Sequence, residues 1–452
     1  MLNINNIIKQ GFIPYKYSFR ATKDKKALCV LQKDTEKFIC VKSREKTQIF
    51  KEVIKEFKDE NSYISIFKLN WDNYISLKNY INISPSKINK RVSFGVGDRT
   101  GLATASQLRA ITKFDVFPIL AQQTPEELRA LNRTYKSCLL DAVMGVLQTG
   151  FVGDWGADAN NISDPEDLAE AIKADYSMFT INIVPFLRKF PEEEPQKIID
   201  SLNETSKSLI DKFNYFGNLY NISEDAFIYS AYQTEKGLET ALNYYKEIQK
   251  SKSDFDFEIG LNKALETTTL SDMLFIMLYL KENNIKITSL APKFEGFWIP
   301  GCEYQGNYEK LFNQIKQFSE ITDKHGDVRL SLHSSDKFSV YPEFKNKTDN
   351  NYHIKTSGTS WLRLLILVAI HQKDLFDKMY NLSADKQKGK VPYYNKEHPE
   401  LFINDPALCM LFHTSYDIIL NELKDDIKIF FKSHEEEYYH LISNHLGKHL
   451  SS

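Results

Sequence analysis

The sequence predicts an α/β protein: a (β/α)8 barrel with a small N-terminal α+β module and a C-terminal helical tail. Three observations lead there. From residue 91 onward, short β-prone runs alternate with amphipathic helical stretches, the pattern of a mainly parallel sheet. Seven or eight such units follow one another before the tail, which suits a closed barrel with insertions. Polar motifs also sit where the strands stop, and a barrel of this kind keeps its chemistry at that edge. A doubly wound open sheet is the competing architecture.

The elements follow in order. Residues 27–31 and 37–41 are apolar runs on either side of a charged turn and predict a hairpin. Residues 46–58 and 72–81 have helical spacing, and 83–90, with Pro85, reads as a connector. The module therefore spans 1–90, and 91–452 holds the barrel and tail. Strands are predicted at 92–96, 116–121, 178–183, 255–261, 287–294, 328–333 and 352–355, with a weaker eighth at 408–412 that could be helical. Helices are predicted at 105–112, 126–148, 238–249, 270–283 and 361–371. Residues 153–161 read as a polar, turn-rich loop in which Trp155 packs or stacks on a sugar ring. Residues 421–450 read as a charged outer helix with solvated His434, His440, His445 and His449.

Composition excludes several function classes. Of 452 residues, 42% are hydrophobic and 26% charged, as in an ordinary globular protein. The formal net charge is −2 with the signs interspersed, which argues against nucleic acid as the partner. The five cysteines are scattered and form no zinc-type pairs, as expected of a reduced cytoplasm. Neither a membrane-span run nor an uninterrupted signal-peptide core is seen, so a cytoplasmic, membrane-free protein is expected. Oligomeric state is not readable. All ten histidines lie between His325 and His449, so any imidazole metal site draws on the last third of the chain.

Two strand ends carry the sharpest signal. Arg329-Leu330-Ser331-Leu332 runs into His333-Ser334-Ser335-Asp336-Lys337, and Tyr352-His353-Ile354-Lys355-Thr356 runs into Ser357-Gly358-Thr359-Ser360-Trp361. Each delivers a His, a Lys and hydroxyls to a strand terminus, and two neutral imidazoles suit a divalent metal. Hydrogen-bonded structural histidines are the alternative. The first strand ends in Gly95-Val96-Gly97-Asp98-Arg99-Thr100-Gly101. Arg99 there could grip a carboxylate, or pair with Asp98 in a structural turn. Lys293 and Glu295 alternate onto one side at the end of the fifth strand, Glu295 as a metal or base candidate or the two as an ion pair. Gln122-Gln123 suits sugar hydroxyls.

Taken as a set, these segments resemble the tagaturonate epimerase family. The resemblance rests on SFGVGDRTGLATASQLRA (93–110), FPILAQQTPEEL (117–128), GFVGDWGADANN (150–161), APKFEGFWIPG (291–301), LSLHSSDKFSVYP (330–342), HIKTSGTSW (353–361) and HEEEYYHLISNHLGKHL (434–450). It is weak over the first 90 residues. It implies a metal-dependent barrel enzyme that interconverts D-tagaturonate and D-fructuronate, a small-molecule sugar acid being the partner. The two differ at carbon 4, whose hydrogen is not acidic, so retro-aldol cleavage and re-addition is the economical route. The resemblance makes His333 and His353 ligands of a divalent cation (Zn²⁺, Mn²⁺ or Ni²⁺). Asp98, Arg99, Gln122, Lys293, Lys337 and Lys355, at or just past strand ends, are the substrate-binding candidates.

Four active-site positions, Asn160, Asn161, Asn262 and Lys263, depart from the family pattern. Asn160 and Asn161 stand where it has an acidic residue followed by His, and Leu261-Asn262-Lys263-Ala264 stands where it has Val-Asp-Glu-Thr. An amide is no general base near neutral pH. Three readings stay open: an epimerase whose acid–base work moves to Glu295 or another group, a silent relative that binds sugar acids, and Schiff-base chemistry on Lys263. Glu295, Lys263 and Asn160 are the catalytic candidates.

Overall fold

The computed structural model describes residues 4–24, 26–46, 49–299, 301–333, 337–387 and 389–451. Eight strands close a parallel barrel: β1 Val92–Val96, β2 Phe117–Gln123, β3 Gly156–Ile162, β4 Met178–Asn182, β5 Asp256–Gly260, β6 Ser289–Ala291, β7 Arg329–His333 and β8 Tyr352–Thr356. Sequence neighbours are barrel neighbours, and β8 closes onto β1. A helix follows each strand: α1 Thr104–Ile111, α2 Tyr135–Thr149, α3 Pro165–Lys173, α4 Glu224–Gln249, α5 Leu270–Glu282, α6 Tyr308–Gly326, α7 Tyr341–Lys347 and α8 Thr359–His371. The tail is α9 Lys424–Leu450. Side-chain caps start many of these helices. Thr134 and Thr269 close capping boxes on α2 and α5, and Ser223 caps α4, each worth about 1 kcal/mol. No helix among the described residues is long and apolar enough to cross a membrane.

Three local expectations are corrected. The run 408–412 is helical, within Pro406–Thr414, because Asp405 caps it and Pro406 opens it. The remaining barrel strand is instead Gly156–Ile162, which had read as a loop. Its Gly-Ala-Asp-Ala-Asn-Asn sequence lacks β-branched residues, yet every position is buried, so barrel pairing overrides weak local propensity. In the third case, part of 46–58 is strand rather than helix. Val53–Asp59 pairs antiparallel with Ser62–Phe67 at the edge of the N-terminal sheet.

The chain divides into two compact units. One comprises Met1–Ser86, Val96–Ala157 and Ser357–Ser451. Its N-terminal sheet includes the predicted hairpin, Ala27–Lys33 against Glu36–Ser43, over a core containing Phe12, Leu31, Phe38, Ile64 and Ile66. Arg20 donates to the carbonyls of Val146 and Phe151 at 3.0 and 3.4 Å around the end of α2, and burial lowers its pKa to about 10. The Tyr15 hydroxyl donates to Glu435 on α9 at 3.2 Å, and the Tyr438 hydroxyl to the Ser360 carbonyl at 3.0 Å. On the tail, His445 and His449 are buried rather than solvated, their Nε2 atoms 3.2 Å apart on successive turns. The other unit, Lys87–Gly95 and Asp158–Thr356, carries β4 to β8.

Candidate active site

Within the second unit, the barrel interior holds a polar layer where such barrels are usually filled by branched apolar residues. Strand pairing sets it up. Thr180 lies beside Glu258, Glu258 beside Ser289, Ser331 beside His353, and His333 beside Lys355. Lys355 is the hub, 3% exposed. Its Nζ donates to Asp158 Oδ2 at 2.7 Å, Thr180 Oγ1 at 2.5 Å and Asn160 Oδ1 at 3.3 Å, and lies 2.8 Å from Glu258 Oε1. Glu258 is fully buried, and its Oε2 accepts from the Ser289 hydroxyl at 2.5 Å. Its Oε1 lies 2.8 Å from His333 Nε2.

His353 is oriented from behind. Its Nδ1 lies 2.9 Å from the Ser93 hydroxyl and 3.2 Å from the Ser93 carbonyl. A carbonyl can only accept, so Nδ1 carries the proton and Nε2 keeps its lone pair. That Nε2 is buried with no hydrogen-bond partner among the described residues. A buried, oriented, unsatisfied imidazole nitrogen is the donor a metal ion requires, and histidine ligands are commonly held this way through the far nitrogen. The hydrogen-bonded His333–Glu258 pair lies near enough for both groups to act electrostatically on His353.

The charges follow from burial and neighbours. Burial, then the Lys355 cation, lowers the His353 pKa to about 3, and the same two causes lower that of His333. Both rings are therefore neutral near pH 7. Burial works against ionised Glu258, yet Lys355 and His333 hold its pKa well below the carboxylate range. For Asp158 burial outweighs Lys355, and its pKa rises. These shifts give a pH prediction. Between pH 6.5 and about 3, the unfolded chain binds a proton that folded His353 refuses, so His353's contribution to stability falls as pH falls. Asp158 acts in the opposite sense, losing stability as pH rises through its folded pKa. In chelator-treated protein, going from pH 7 to pH 5 should cost roughly 2 kcal/mol through His353 alone. Urea unfolding of the parent and of His353→Asn measures it. Identical pH slopes in the two proteins would refute it.

The other sequence candidates fall elsewhere. Lys337 is buried, and its Nζ donates to the carbonyls of Ile299, at 2.6 Å, and Cys302. The hydroxyls of Ser334 and Ser335 lie outside the described residues. Lys293 and Glu295 are half-buried after β6; their backbone N–H groups donate to Thr268 Oγ1 and Gln314 Oε1, both at 2.9 Å. Lys263 is exposed. Asn161 has φ +58, and its Oδ1 and that of Asn262 are buried without partners among the described residues. A side chain at Gly260 would begin 3.5 and 3.4 Å from those two oxygens, so both face one point beyond β5.

Three candidates belong to the first unit. Gln122 is buried near the end of β2. Arg99 pairs with Glu127 through Nε at 2.8 Å, donates to the His413 carbonyl at 3.2 Å and stacks 4.0 Å over Tyr416. Gly358 in the kept HIKTSGTSW segment has φ +75, and a Cβ there would meet His413 Nδ1 at 2.4 Å, so only glycine fits. Asp98 accepts six hydrogen bonds, from the N–H groups of Thr100, Gly101, Ala103 and Thr104 and from the hydroxyls of Thr100 and Thr104. It thus builds the turn into α1. Asp98→Ala should lower the unfolding free energy by about 3 kcal/mol, with Asp98→Asn losing less. A loss below about 1 kcal/mol on urea denaturation would contradict that role.

The cluster therefore joins His333, His353, Lys355 and Asn160 with three residues that sequence reasoning missed: Asp158, Thr180 and Glu258. A signal existed for Glu258, since Asp256-Phe257-Glu258 alternates charge within an otherwise apolar strand. Asp256 serves the frame, accepting from the Ile88 N–H at 2.7 Å and the Thr288 hydroxyl at 2.8 Å, and burial raises its pKa to about 6.

Comparison with known proteins then decides the family. The profile of tagaturonate epimerase (UxaE) matches residues 15–452. The chain belongs to the tagaturonate epimerase family. A tagaturonate/fructuronate epimerase from Thermotoga maritima is 31% identical over 478 aligned positions, covering 98% of this chain and 97% of the relative. The fold of this tagaturonate epimerase family member also matches solved structures. The glycerol-complexed fructuronate-tagaturonate epimerase from Cohnella laeviribosi superposes with a TM-score of 0.87 at 21% identity, covering 99% of this chain and 98% of that one. The native form gives 0.86, covering 100% and 99%.

Proposed function

We propose that this family member interconverts D-tagaturonate and D-fructuronate at carbon 4 by a retro-aldol and aldol sequence, with a divalent cation held by His333, His353 and Glu258. The observation that carries the reading is the oriented Nε2 of His353, buried with no hydrogen-bond partner among the described residues, in the same unit as the Glu258–His333 pair. When bound, a cation there supplies Lewis-acid polarisation of the sugar's ketone and hydroxyl oxygens. In this reading Asp158 takes the proton of the carbon 4 hydroxyl; its raised proton affinity through burial and its bonds to Thr180 and Lys355 support that role. The O–H electron pair becomes the aldehyde carbonyl, and the pair of the bond between carbons 3 and 4 moves toward the ketone oxygen. Lys355 offers positive charge to the oxygen that gains it. Rotation of the aldehyde half and reversal of these steps yields the epimer.

Asn160, Asn161 and Asn262 support a slow form of this reaction, because none of these amides can carry a proton between the two faces of the sugar. Incubation of the purified protein with D-fructuronate and added Mn²⁺, Ni²⁺ or Zn²⁺ tests the proposal through the appearance of D-tagaturonate. No conversion with any of the three, alongside retained uronate binding, would replace it with the silent sugar-acid binder.

A further inference from the structure

We propose a second cation site, formed in the first unit by His371, His434 and Glu437, which takes a divalent transition-metal ion such as Zn²⁺. The ligand atoms these residues offer all lie within 4.8 Å of one another. His371 is the last residue of α8, and its Nε2 stands 2.9 Å from Glu437 Oε1. His434 and Glu437 are three residues apart, at and just past the bend in α9, and the bend leaves their ligand atoms within reach of each other.

His434 is pre-set for this task. The helix bends there, with φ −123 and ψ 16. Its Nδ1 donates to the Phe430 carbonyl at 2.8 Å, which leaves the lone pair on Nε2. Its ring lies flat on Phe430, centroids 4.2 Å apart at 15°, which fixes the rotamer. The His371 ring approaches to 4.7 Å between centroids. His371 stands at the C-terminal end of α8, whose negative partial charge favours a cation. Ligand atoms of a tetrahedral zinc ion lie roughly 3.3 Å apart, so a small closing movement of the exposed His371 and Glu437 side chains completes the site. Two imidazoles and one carboxylate select Zn²⁺ and its neighbours over Mg²⁺ or Ca²⁺, and three protein ligands leave one position to water. The ion would staple the end of α8 to α9.

Calorimetric titration of the full chain with Zn²⁺, beside its His371→Ala and Glu437→Gln variants, tests the site. Both substitutions fall on exposed side chains outside the barrel interior, so binding there is common to all three proteins and cancels. His371→Ala should bind one equivalent fewer, and Glu437→Gln should weaken one binding event by about tenfold or more. Equal stoichiometry and affinity in all three would overturn the proposal. The readout is binding alone, so it stands or falls separately from epimerase activity.

Discussion

Replacing Lys355 with Met should lower the unfolding free energy by about 3–5 kcal/mol, because it strands two buried carboxylates. Lys355 Nζ lies within 2.8 Å of oxygens on both Asp158 and Glu258, and those side chains are fully buried. With the cation gone, the two acids face each other across Thr180 in a medium that solvates neither. The chain can relieve this only by protonating one of them, so the deficit should shrink as pH falls. Adding Asp158→Asn to Lys355→Met should recover part of the loss, since one uncompensated charge disappears. Urea denaturation of the single and double variants at two pH values reads both effects. A loss below about 1 kcal/mol, or no recovery in the double variant, would mean that the three side chains do not form one charge-balanced unit.

The largest expected gain comes from restoring the family's groups. Asn160→Asp with Asn161→His should tighten metal binding, while turnover should rise by about 10²–10⁴ only when Lys263→Glu is added. The backbone is ready for the first pair. Asn161 sits at φ +58, a region that histidine tolerates better than most residues, and Gly260 keeps space open in front of it. An aspartate at 160 would meet Lys355, which already reaches Asn160 Oδ1 at 3.3 Å. Metal affinity by calorimetry and D-fructuronate turnover separate the two effects. A parent protein already as fast as the triple variant would show that Asp158 and Glu258 suffice.

The sequence exposed the frame of this molecule better than its interior. Runs such as Arg329–His333 announce themselves because branched apolar residues and a following polar cluster occur together. Gly156–Ile162 does not, since nothing in Gly-Ala-Asp-Ala favours a strand until its barrel neighbours are present. That misreading concealed Asp158, which sits inside the strand that had read as a loop. Glu258 was obscured differently, inside a segment whose apolar residues dominate. The partners of Lys355 are also remote, with 197 residues separating it from Asp158, and no local pattern encodes such a pairing. The strand ends supplied His333 and His353, but only the fold shows that Glu258 stands beside His333.

The bond between Tyr15 and Glu435 joins residues 420 positions apart, inside a unit assembled from three stretches of sequence. During synthesis those stretches leave the ribosome at different times. Residues 87–95 and 158–356 form the other unit and are all available before α9 is made. The end of α2 that Arg20 ties down closes without the tail, but the Tyr15 hydroxyl must wait for Glu435 on α9. A nascent chain stalled before residue 424 would thus leave Tyr15 without its acceptor, a polar seam left open at the oldest end of the chain.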